Sequence, residues 1–157
     1  MKRKLILVLS ILFISIYSFG QSYNDLIKQA LSNYYAKDYK KSLDLYQAAF
    51  KIEQNNPNDL YNGACSAALA GETETAFNLL NLSIQKGWAN INHLKEDSDL
   101  TALHNYKDWE VTLKTLQEKV DKIEATYDKP LQKELLQIFK DDQNIRRQYI
   151  DSSKKYG

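Results

Sequence analysis

Few residues in this chain are of the types that do covalent chemistry or hold metals. There is one cysteine, Cys65, and there are two histidines, His93 and His104. A zinc site draws its ligands in closely spaced pairs. Here the histidines are eleven residues apart, each beside a leucine, and they read as packing edges. The acidic cluster Glu96, Asp97 and Asp99 lacks the glycine and the spacing of a calcium loop, so it reads as a solvated, helix-capping turn. Nucleophilic chemistry finds no Gly-x-Ser-x-Gly elbow, no His-Glu-x-x-His and no phosphate loop. Serine, histidine and aspartate are all present, but no pattern places them together. The sequence predicts no catalysis, no metal and no cofactor.

One polar constellation interrupts an otherwise apolar pattern. Leu131, Leu135, Ile138, Ile145 and Tyr149 form a helical stripe, and Asp142 sits where the stripe should continue. Arg146 lies four residues on, so the two can form an intrahelical pair worth about 0.3–0.5 kcal/mol. The sharper alternative is a polar site made of Asp142, Gln143 and Arg146.

The elements that position these residues are helices. With 5 glycines and 2 prolines in 157 residues, few turns are written in. Eleven tyrosines suit helix packing, with rings buried and hydroxyls at the edge. Charges nearly cancel, 21 basic against 20 acidic, which leaves no basic face for nucleic acid. Lys2, Arg3 and Lys4 precede the apolar run Leu5–Tyr17, and Ser18 and Gly20 are the small residues of a signal-peptidase site. The run is shorter than the roughly 20 residues of a membrane span. Residues 1–20 therefore read as a cleaved signal peptide, which places the mature protein in the periplasm or outside the cell, with no membrane attachment. Cleavage removes three of the 21 basic residues, leaving 18 against 20 acidic, a net of −2. Cys65, in the apolar stretch Gly63–Leu69, has no internal disulfide partner and reads as a small buried hydrophobe.

A shift of 34 residues aligns Leu26 with Leu60, Ala30 with Ala64, Leu43 with Phe77, Tyr46 with Leu80, Ala49 with Ser83 and Phe50 with Ile84. Each unit reads as two helices: 23–36 and 39–53, then 58–70 and 73–86. Gly71 suits a left-handed turn, and Lys37 is its less comfortable counterpart. Asn56 and Pro57 mark a helix start. This alternation of small residues (Ala64, Gly71, Ala76, Ser83) with bulky ones (Leu60, Leu80) resembles the tetratricopeptide family. Asn33 and Gln54 depart from its consensus. The resemblance implies an all-α fold: an α-solenoid of two tetratricopeptide-like helix pairs over 21–87, closed by C-terminal capping helices. A segment anchored by Trp88, Leu94, Leu100 and Leu103 and a long helix over 108–127 occupy 88–128. The helix over 129–157 resembles the opening of an uncharacterised bacterial domain, so the sequence also predicts a fragment of a longer protein.

In such arrays the first helix of each pair lines the concave face. That assigns Asn24, Ile27, Leu31, Tyr34 and Tyr35 from the first unit, and Asn58, Tyr61, Cys65 and Leu69 from the second. Apolar and tyrosine-rich, they suit a peptide or protein partner, unless the C-terminal helices fold back over them. The resemblance thus implies an exported protein-interaction module. Its alternatives are a structural arm that positions a further C-terminal domain, and such an arm whose further domain is an enzyme. An unfinished repeat end would also allow a homodimer. Intact-mass measurement of the exported protein should give a chain beginning at Gln21; a mass that includes Leu5–Tyr17 would refute the signal-peptide assignment.

Overall fold

The computed structural model describes residues 22–156, so the signal-peptide assignment lies outside the described residues. These residues are helical, without a strand among them. Helix α1 (Tyr23–Tyr35) packs on α2 (Tyr39–Phe50), and α3 (Pro57–Leu69) packs on α4 (Thr73–Lys86), while α2 and α3 join the two hairpins. A short α5 (Ile91–Glu96) leads into a 3-10 helix (Ser98–Leu103) that lies against α3. Two longer helices follow, α6 (Lys107–Glu124) and α7 (Lys129–Tyr156). The chain divides into two compact units, with the division after Leu116.

The 34-residue register is visible in the caps as well as in the core. Ser22 caps α1 by accepting from the Asp25 N–H, and Asn56, 34 residues later, caps α3 by accepting from the Asn58 and Asp59 N–H groups. Ala30 and Ala64 are both fully buried, as are their neighbours Tyr46 and Ala49. Such small residues let helices approach closely. The Ser42 hydroxyl reaches the Ala30 carbonyl at 2.8 Å and meets Ser66 Oγ at 3.0 Å, tying α1, α2 and α3 together. Trp88, Leu94, Leu100 and Leu103 are all buried, as the anchor pattern predicts. Helix α2 stops short of Glu53, and its last turn tightens where the Ile52 N–H reaches only three residues back, to the Ala49 carbonyl at 2.9 Å.

The second unit is α7 with the residues leading into it. Asp128 caps α7 by accepting from the Leu131 N–H at 3.1 Å. Within residues 117–156 nothing covers the apolar stripe: Leu135, Ile138, Ile145 and Tyr149 are each more than half exposed.

The two hairpin turns carry equivalent left-handed residues, Lys37 at φ 62° and Gly71 at φ 80°. A side chain pays about 1–2 kcal/mol in that region, where glycine does not. A methyl at Gly71 would meet nothing within 4 Å, so only backbone strain is at stake. Gly71→Ala should lower stability by about 1 kcal/mol and Lys37→Gly should raise it by somewhat less, since glycine also loosens the unfolded chain. Urea unfolding measures both.

Candidate functional site

The first unit holds a solvent-open cavity of about 390 Å³ where α1, α2, α3 and the turn between α5 and the 3-10 helix converge. Helix α1 contributes Leu31, Tyr34 and Tyr35, one turn of a single face. Helix α3 contributes Tyr61, Asn62 and Cys65, and Tyr46 of α2 completes the lining from the helical side. The remaining wall is His93, Asp97, Ser98 and Asp99.

Asp97 organises that wall. Fully buried Leu94 and Leu100 pin the chain on either side of it. One carboxylate oxygen caps the 3-10 helix by accepting from the Asp99 N–H at 3.0 Å. The other faces α3 and accepts from Tyr61 Oη at 2.7 Å and Cys65 Sγ at 3.7 Å, groups that one helical turn brings to the same side. His93 Nε2 lies 3.5 Å from the same oxygen. Asp99 accepts a hydrogen bond from the Tyr34 hydroxyl. The Tyr61 ring lies flat on Trp88, with centroids 4.2 Å apart.

These contacts hold the neutral acids neutral. Burial pushes the Tyr61 hydroxyl well above the usual tyrosine range, and its hydrogen bond to Asp97 adds to this. Burial likewise raises the Cys65 thiol, helped by the charges of Asp97 and Asp99, so Cys65 is a protonated and unreactive group. Tyr46 is fully buried, and its hydroxyl makes no well-formed hydrogen bond among the described residues. Asn62 is near enough to ease its ionisation, but burial dominates and raises it.

Of the groove residues expected from sequence, the structure brings Leu31, Tyr34, Tyr35, Tyr61 and Cys65 into this cavity. It does not bring in Asn24 and Asn58, which are exposed, or Ile27, which is buried, or half-buried Leu69. Tyr61 is only 3% exposed and is engaged on one face by Trp88, so it is a wall and not a free anchor. The acidic turn differs from its expectation. Asp97 does cap, Asp99 does not, and both are partly buried and face tyrosines, because Leu94 and Leu100 draw the turn onto α3. No periodic pattern marks Asn62, His93, Asp97 or Asp99 as neighbours of α1 and α3. Ligand atoms of Cys65, Asp97 and Asp99 lie within 4.8 Å of one another, a grouping that cysteine and histidine spacing does not reveal.

Asp142, Gln143 and Arg146 form a local cluster. Arg146 Nε donates to Asp142 Oδ2 at 2.7 Å and Gln143 Nε2 donates to the same oxygen at 3.3 Å, with Arg146 exposed. This is the intrahelical pair.

The raised acids fix a pH dependence. Tyrosines ionise near pH 10 in an unfolded chain, whereas Tyr46 and Tyr61 resist ionisation when folded. The folded state therefore binds more protons, and stability present below pH ~10 is lost as pH rises beyond it. Tyr61→Phe should reduce the slope of unfolding free energy against pH above that point by about one proton. Urea titrations between pH 8 and about 11 would show it, and an unchanged slope would contradict the burial of this hydroxyl.

Residues 22–125 match the family model described as "A/B hydrolase-like, N-terminal domain". No curated protein and no solved structure matches the chain significantly. The match overturns the tetratricopeptide assignment: it takes in both 34-residue units together with the capping segment and α6 as one stretch. The register and the small–large alternation are what any two stacked helix hairpins need to approach closely, so they report packing and not that family. The matched stretch covers well over half of the 157 residues, and the chain belongs to the A/B hydrolase-like N-terminal domain family.

Proposed function

We propose that this chain is a non-catalytic helical arm that docks and positions an α/β-hydrolase-like domain, working after export in the periplasm or outside the cell. The observation that carries this is the family membership, since the family is that of an N-terminal domain in A/B hydrolase-like proteins. Two features support it. In the cavity Cys65 is held protonated by burial and the neighbouring carboxylates, and Ser98 and His93, which also line it, share no hydrogen bond among the described residues. The stripe of α7, widened by Leu136, Phe139 and Ile150, also leaves a large apolar surface exposed. Exposed surface of that kind marks an interaction site, and a hydrolase-like domain is the partner that the family supplies.

A second reading draws on the cavity: a segment of a peptide or protein enters between α1, α3 and the acidic turn. The convergence there of six residues from two helices with two carboxylates favours it.

The arm reading is tested by capturing the native protein from its own cells and probing the captured material with a fluorophosphonate, which labels activated serine nucleophiles. A labelled polypeptide should be present and should be lost, if separate, with Leu135→Glu and Phe139→Glu together. If it is part of the same polypeptide, the pair should instead release the domain in limited proteolysis. Captured material without any labelled polypeptide would sink the arm reading.

A further inference from the structure

We infer that the cavity of the first unit is a receptor for a guanidinium group, such as the side chain of an arginine in a bound peptide. The peptide source rests on the second reading above; the guanidinium assignment stands on the cavity itself.

The sign of the charge comes first. Asp97 and Asp99 both face the cavity, no lysine or arginine lines it, and half-exposed His93 is the sole basic neighbour among the lining residues. An anion would meet two carboxylates with no countercharge, whereas a cation would meet its complement. Asp99 has no ion-pair partner among the described residues, and its only side-chain hydrogen bond there comes from neutral Tyr34. A carboxylate accepts about four hydrogen bonds, so capacity remains.

The second observation is independent of the acids. Tyr46 is fully buried, lines the same cavity and has a hydroxyl without a well-formed partner. A buried polar group left unsatisfied is costly, and its oxygen can accept from an incoming N–H. The wall from α1 is aromatic. Tyr34 and exposed Tyr35 meet edge to face, with centroids 5.5 Å apart. Aromatic faces attract cations, arginine most often. A planar guanidinium stacks on rings while presenting five donors in a fixed fork, which several separated acceptors can share. An ammonium is a compact, strongly hydrated point charge and gains less from such walls. The volume of about 390 Å³ falls within the usual range for small-ligand pockets.

Isothermal titration of the purified full chain tests this with capped tripeptides Ala-Arg-Ala, Ala-Lys-Ala and Ala-citrulline-Ala, and with methylguanidinium. The arginine peptide should bind saturably, and the neutral citrulline isostere at least about tenfold more weakly, as losing a charged hydrogen bond entails. Asp99→Asn should weaken arginine binding to a similar degree. Tyr46→Phe should weaken it too without lowering the urea midpoint, because no well-formed hydrogen bond is lost with the hydroxyl in the free protein. Equal binding of the three peptides, or no effect of Asp99→Asn, overturns the guanidinium assignment and leaves the peptide reading standing. Saturable methylguanidinium binding with every peptide excluded sustains the assignment and overturns the peptide source. Absence of binding by both kinds of probe overturns both.

Discussion

Where α1, α2 and α3 meet, the side chains are methyl groups and hydroxyls. Ala30 and Ala64 are fully buried, and Ser42 joins α1 to α3 by donating to the Ala30 carbonyl while touching Ser66. Ser66 in turn contacts the Asn62 carbonyl one turn back along α3. Larger side chains there would part the helices, since overpacked interiors shift backbone or force poor rotamers. The seam therefore sets the distance between the two hairpins. Tyr34 lies one turn beyond Ala30, and Asn62 and Cys65 flank Ser66, so the same distance sets the width of the cavity.

The acidic turn closes what the seam opens. Asp97 spends one oxygen on the backbone of its own 3-10 helix and the other on donors from α3. Packing of Leu94 and Leu100 holds it there, and the bonds to Tyr61 and Cys65 satisfy a charge that burial would otherwise penalise. One residue thus terminates a helix and builds a wall.

Much of this architecture was legible in the sequence. The helices over α1 to α4 follow from periodicity, the caps Ser22 and Asn56, and the turn residues Lys37 and Gly71, because those signals are local. The anchors Trp88, Leu94, Leu100 and Leu103 were legible as well, since large apolar residues after a repeat have few other places to go. The site was legible on one side only. Helical spacing exposes Leu31, Tyr34, Tyr35, Tyr61 and Cys65 as a shared face, but Asp97 and Asp99 reach that face through a chain reversal some 30 residues away, which no spacing encodes. Tyr46 was hidden differently: it reads as core, and it is core, yet it also lines the cavity. Family membership was not legible at all from the repeat, because close helix packing imposes the same small–large pattern on unrelated chains.

The stacking of Trp88 on Tyr61 has an optical consequence. The protein has two indoles. Trp88 lies flat behind one wall of the cavity at 4.2 Å, and Trp109 lies tilted against His104 at 4.3 Å. An occupant that moves Tyr61 changes the surroundings of the first indole alone. The second indole has His104 as its ring neighbour, away from the residues that line the cavity. The molecule therefore carries two intrinsic fluorophores, one reporting on the cavity and the other serving as its internal reference, and replacing either tryptophan with phenylalanine isolates the emission of the other.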